Sequence, residues 1–133
     1  MGEYVVSRLV KLMLKKRLHV QDSNVLIMGL TFKENCPDLR NTRVVDIIKE
    51  LETYGVNIHV YDPWVDPEEA VVEYGIKPIA TLEEGRFDAI VLAVAHEQFK
   101  QMDIKQVRAL GKPDSVIYDL KYLFPADLTD ERL

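Results

Sequence analysis

Asn24-Val25-Leu26-Ile27-Met28-Gly29 is an unbroken aliphatic run closed by a glycine. A run this short, bounded by turn-forming residues, predicts a strand covered on both faces. The segment after it decides the fold. A loop from Leu30 to Asn41 leads into an amphipathic segment, residues 42–54. Val44, Val45, Ile48 and Leu51 share one face there, and Arg43, Asp46, Lys49, Glu50 and Glu52 lie off it. Asn41 or Thr42 is placed to cap its start, and Gly55 stands where a left-handed residue ends a helix. Residues 56–61 then read as a second strand, closed by Asp62-Pro63.

The same alternation extends outward. Upstream, residues 4–18 predict a helix. Tyr4, Val5, Leu9, Leu12 and Met13 recur at helical spacing, Val6, Val10 and Leu14 widen the stripe, and Lys11, Lys15, Lys16 and Arg17 crowd its end. A helix apolar on several faces requires cover on more than one side, which suggests a partner surface or the end of a longer helix. Downstream, residues 66–74 predict a short helix, 76–79 a short edge strand and 88–94 a third core strand. Residues 103–110 predict a helix and 115–119 a final core strand, and the polar tail beyond Phe124 is expected to be mobile. Strands alternating with helices specify α/β architecture: a Rossmann-like three-layer sandwich with a mostly parallel sheet, preceded by one N-terminal helix.

Composition narrows the function. The chain has 133 residues, the size of one domain, with 47% hydrophobic and 29% charged residues. Its net charge of −5 gives no footprint for nucleic acid. No apolar run approaches the roughly 20 residues that span a bilayer, and no signal peptide is seen, so a cytoplasmic protein is the simplest reading. The single cysteine, Cys36, allows no internal disulfide, and His19, His59 and His96 are too isolated to suggest a metal site.

In a sheet of this kind ligands bind beyond the carboxyl ends of the strands. Three segments leave strands there: Gly29 to Asn41, Asp62 to Trp64, and Asp119 to Tyr122. The first carries the most chemistry. It is neither a dinucleotide fingerprint nor a Walker loop, since Gly29 stands alone. It offers Phe32 beside Lys33, then Asp38, Arg40 and Arg43 leading into a helix N-terminus. Lysine and arginine suit phosphate and ribose oxygens, and the helix end adds partial positive charge. Each has a plainer reading. Lys33 can be a solvated charge, Phe32 core, and Asp38–Arg40 a local ion pair. Cys36, with no histidine beside it in sequence, reads as inert. Asp62 reads as a turn-former before proline. Lys121 is a further candidate because its strand ends at the same edge, and His96 reads as a solvated or capping residue. A phosphate-binding module without catalysis and an interaction domain using its first helix both remain open.

The run Val25-Leu26-Ile27-Met28-Gly29-Leu30-Thr31-Phe32-Lys33-Glu34-Asn35, then Asp38-Leu39-Arg40-Asn41-Thr42, then Val60-Tyr61-Asp62-Pro63, resembles the C-terminal domain of the UDP-glucose/GDP-mannose dehydrogenase family. The Glu34-to-Thr42 version is most similar to the branch acting on UDP-N-acetylhexosamines for surface polysaccharides, the Vi-antigen and O-antigen type. The resemblance implies an NAD-dependent oxidation of a sugar C6 alcohol to a carboxylate. An N-terminal domain holds NAD, a central helical segment holds the catalytic cysteine and the dimer contacts, and the C-terminal domain closes over the UDP-sugar. On this basis Phe32, Lys33 and Lys121 contact the UDP-sugar and Arg40 reaches NAD. Residues 1–22 are the end of the central dimerisation region, and 23–133 the UDP-sugar-binding domain. Cys36 is not the catalytic cysteine, and no residue of this chain is assigned catalysis. Pro37 replaces a frequent aspartate, and Asp-Leu-Lys at 119–121 departs from a more usual Asp-Gly-Arg. With no glycine-rich NAD loop and no matching cysteine, the chain is expected to be part of a longer homodimeric enzyme and not to turn over alone.

Overall fold

The structure, a computed structural model, describes residues 2–132; Met1 and Leu133, the outer limits of the expected division, lie outside the described residues. The elements in chain order are α1 (Gly2–Lys15), β1 (Asn24–Met28), α2 (Val44–Glu52), β2 (Asn57–Tyr61), α3 (Pro67–Tyr74), β3 (Phe87–Leu92), α4 (Glu97–Lys100), α5 (Ile104–Leu110), β4 (Gly111–Asp119) and β5 (Glu131–Arg132), with a 3-10 turn at Ala126–Leu128. The strands form one sheet in the order β2-β1-β3-β4-β5, and every pairing is parallel.

The uniform apolarity of β1 and β3 follows from burial on two faces. Val25 and Ile27 of β1 join Ala89 and Val91 of β3, Val116 and Tyr118 of β4, and the inner faces of α1 and α2. The alternate residues Leu26, Met28, Ile90, Leu92 and Ile117 point the other way, onto Phe99 of α4 and Val107 and Leu110 of α5. One sheet thus separates two cores, the three-layer arrangement its sequence predicts.

Helix α1 buries Val5, Val6, Leu9, Val10 and Met13 in the same core as α2 and the sheet face, so its wide apolar stripe is covered largely from within the chain; Tyr4 and Leu14 stay exposed. Helix α2 begins at Val44 with Arg43, not Asn41 or Thr42, at its N-cap and with no side-chain capping bond; the Thr42 hydroxyl instead accepts from Val44 N–H at 3.3 Å and donates to Leu30 O. Gly55 has φ of 75°, as expected of a helix-ending glycine. Asp66 accepts from Glu68 N–H, Pro67 occupies the first turn of α3, and Gly75 closes it at φ 67°.

Three further expectations need correction. Residues 76–79 do not form a strand: Ile79 N–H donates to Val60 O at 2.8 Å, and Pro78, which has no N–H, prevents a ladder from continuing. Helix α4, a single turn opened by His96 as N-cap, lies where no helix is expected. The tail beyond Phe124 is not free. It makes the 3-10 turn and adds β5 to β4 in the register Tyr118↔Glu131 and Asp119↔Arg132. Asp130 carries the attachment, accepting from Ile117 N–H at 2.8 Å, Arg108 Nη1 at 3.0 Å and Lys16 Nζ at 3.0 Å, while Glu131 pairs with Arg8.

Candidate functional site

Strand order reverses between β1 and β3, so the segments that leave them diverge to opposite faces and open a crevice at their carboxyl ends. Gly29 makes that exit possible. Its φ is 105°, and a Cβ there would stand 2.6 Å from Val94 Cβ and 2.8 Å from Val94 N. The lone glycine serves the contact between two strand ends, which explains why no glycine-rich phosphate loop accompanies it.

From Gly29 the chain makes a closed loop. Leu30 and Leu39 are buried and pin its two ends, Phe32 N–H donates to Asp38 O at 2.7 Å, and the Thr42 hydroxyl donates to Leu30 O at 2.6 Å. Phe32 is held outward, 54% exposed, beside an exposed Lys33. At the neighbouring strand end, Asp119 is fully buried and accepts from the N–H groups of Lys121 (3.3 Å), Leu123 (3.1 Å) and Phe124 (2.9 Å). That turn lifts Lys121 toward the same crevice.

The result is a pocket of about 270 Å³. Its floor is apolar: Val5 of α1, Val44 and Ile47 of α2, Ala93 and Val94 after β3, and Leu120 after β4. Its rim carries Phe32 together with Lys33, Arg43 and Lys121, against one acid, Glu34. The structure therefore brings Phe32, Lys33 and Lys121 together, and adds Arg43, which sequence reasoning placed at the helix start without assigning it to the site. An apolar floor under cationic side chains can hold a flat group and an anion at once.

Arg40 is not part of this pocket. Its side chain is 85% exposed and forks onto Asp38, with Nε to Oδ1 and Nη2 to Oδ2 both at 3.1 Å. The hydrogen bond from Arg40, with its charge, holds the Asp38 carboxyl below the usual carboxylate range. The local ion-pair reading is thus realised. The close approach at Gly29 that a dinucleotide loop would use is occupied by Val94. Cys36 is half-buried in the loop. Among the described residues no group of three or more His, Cys, Asp or Glu gathers as a metal site, and no helix is long and apolar enough to cross a membrane.

Two residues are more than they read in sequence. Asp62 does turn the chain, accepting from Trp64 N–H at 2.7 Å, but its other oxygen also accepts from Leu30 N–H (2.7 Å), Thr31 N–H (3.1 Å) and His96 Nε2 (2.9 Å). Burial alone would raise its pKa; the bonds from His96 and the three backbone N–H groups outweigh that and hold the carboxyl below its ordinary value. His96 is fully buried, neither solvated nor capping through its side chain. No local sequence signal marks this pair, because its members lie 34 positions apart and meet only when β2 and β3 flank β1.

A doubly wound parallel sheet with a basic-rimmed pocket at its point of strand reversal is a nucleotide-binding architecture. The chain belongs to the UDP-glucose/GDP-mannose dehydrogenase family, with residues 26–126 matching the family's UDP binding domain. It is 59% identical over 133 residues to a UDP-N-acetyl-D-glucosamine 6-dehydrogenase of Pseudomonas aeruginosa and 52% identical to one of Salmonella typhi, covering 100% of this chain in both and 32% and 31% of those proteins. The chain therefore spans about a third of the length of the curated relatives it matches. Its fold is that of a UDP-D-ManNAc dehydrogenase structure from Pyrococcus horikoshii, at a TM-score of 0.77 and 21% identity, over 95% of this chain and 28% of that one.

Proposed function

We propose that this chain is the UDP-sugar-binding part of an NAD-dependent nucleotide-sugar 6-dehydrogenase, which oxidises the sugar C6 alcohol of a UDP-N-acetylhexosamine to a carboxylate for surface polysaccharide synthesis. The observation that carries the reading is the pocket rimmed by Phe32, Lys33, Arg43 and Lys121. Lys33 and Lys121 neutralise the diphosphate, Phe32 packs against the base or ribose, and the apolar floor excludes water from them. NAD, held mainly by a separate domain, accepts the hydride when bound. Arg40 is the group this chain turns toward it. Residues 1–22 are the end of a central dimerisation region, and 23–133 the UDP-sugar-binding domain, in a cytoplasmic homodimer. The chain alone holds ligand without turnover.

The test is UDP affinity measured by calorimetry. Lys33→Ala and Lys121→Ala should each weaken binding about ten- to a hundredfold, the worth of a charge-assisted hydrogen bond. Lys77→Ala, which removes an exposed lysine away from the pocket, should leave it unchanged. Equal affinities for all three variants would overturn the site.

A further inference from the structure

Neither Asp62 nor His96 lines the pocket, and His96 is fully enclosed with both ring nitrogens hydrogen-bonded. Nδ1 accepts from Asn35 N–H at 3.0 Å. A nitrogen that accepts carries no proton, so the ring is neutral with its proton on Nε2. That nitrogen donates to Asp62 Oδ2 at 2.9 Å, and Thr31 Oγ1 lies 3.1 Å from it. Thr31 in turn donates its hydroxyl to Lys33 O at 3.2 Å. Asn35 returns to the same turn: its side-chain carbonyl accepts from Glu97 N–H at 2.8 Å, and its backbone is left-handed at φ 55°. Phe99 and Trp64 pack around the ring with centroids 5.5 and 6.2 Å away.

The bonds land on either side of the two residues that matter. Thr31 and Asn35 flank Phe32, Lys33 and Glu34: Asn35 N–H is held by the imidazole, and Thr31 N–H donates at 3.1 Å to the same Asp62 oxygen that the imidazole fixes. Phe32 and Lys33 themselves point outward and are tied to the body of the protein by their neighbours. We propose that His96 is a positioning residue: through Thr31, Asn35 and Asp62 it sets the geometry of the loop that presents Phe32 and Lys33 to a uridine diphosphate. The consequence for binding rests on the proposed UDP-sugar reading. A loop that is held before ligand arrives loses less freedom on binding, which raises affinity without a new contact.

The experiment uses the 133-residue chain and separates the clamp from the ligand. Nitrogen-15 NMR of the histidine ring should show the Nε2-protonated tautomer; the Nδ1-protonated form would overturn the proposal. In His96→Ala, amide hydrogen exchange at Thr31 and Asn35 should accelerate about tenfold or more, while Leu26 and Ile90 in β1 and β3 change far less. UDP affinity should fall about tenfold, and His96→Gln, which keeps a donor toward Asp62 and an acceptor toward Asn35, should recover part of both effects. Unchanged exchange at Thr31 and Asn35, or a loosened loop with unchanged UDP affinity, would overturn it. Should His96→Ala not fold, His96→Gln and the ring tautomer decide on the same criteria. If the unsubstituted chain binds no UDP at millimolar concentration, the functional reading fails, and the exchange result still settles whether the clamp exists.

Discussion

Gly29 shows how one residue can mislead and inform together. In sequence it is a strand-ending glycine without the companions that a dinucleotide loop needs. In the structure its bare α-carbon lets β1 pass Val94 within a distance no Cβ tolerates, at a φ of 105°. Gly29→Ala therefore meets both backbone strain and a clash with a backbone nitrogen. It should destabilise the chain by more than about 2 kcal/mol, since each effect alone costs roughly 1–3 kcal/mol. Urea unfolding would read this as a lower midpoint at unchanged slope; an unchanged midpoint would show that the two strand ends can part. The residue scale is also where legibility was most uneven. Phe32, Lys33 and Lys121 stood out as candidates because charge and aromaticity at strand ends are visible in sequence. Residue type alone left Lys33 as readily a solvated charge and Phe32 as readily core, and their assignment to the UDP-sugar came from the family resemblance. Asp62 and His96 did not stand out, because an aspartate before proline and a lone histidine look ordinary until the chain brings them to 2.9 Å in a sealed interior.

At the level of elements, those that follow periodicity were legible and those that depend on distant partners were not. Strands β1 and β3 and helix α2 declare themselves through apolar runs and a one-sided stripe. The tail after Phe124 is polar in sequence, and no local pattern announces a strand there. Its order comes from Asp130, which meets Ile117, Arg108 and Lys16 from three separate segments of the chain. Burial would push the Asp130 carboxyl up, but the Ile117 N–H and the two cations hold it below its ordinary value. A carboxylate lowered in this way contributes stability that is present above its unfolded pKa and is lost as pH falls through the folded one. Asp62 acts in the same direction. Stability should thus decline below about pH 4, near the ordinary carboxylate value. Asp130→Asn should cost about 1–3 kcal/mol at neutral pH and flatten part of that decline, measured by urea unfolding from about pH 7 to about pH 3. Parallel curves for the two proteins would contradict the role given to Asp130.

For the whole molecule, the alternation of strand and helix was enough to specify three layers, and the order β2-β1-β3-β4-β5 places every candidate segment at one edge of the sheet. The helix at the start looked made for a partner because its stripe is broad; most of that surface is spent on the chain's own core. Topology turns residues as far apart in sequence as Val5, Phe32 and Lys121 into the lining of one pocket. It also sorts the cations near the loop: Lys33, Arg43 and Lys121 converge on the pocket, while Arg40 turns outward against Asp38. This pocket is proposed to form a seat for uridine diphosphate within the chain itself. The most direct test is a titration of the chain with UDP followed by amide NMR shifts. Saturable shifts at Phe32, Lys33, Arg43 and Lys121, with β2 and α3 silent, are the predicted result. No shifts there at millimolar UDP, or shifts centred on another face of the sheet, would contradict the claim.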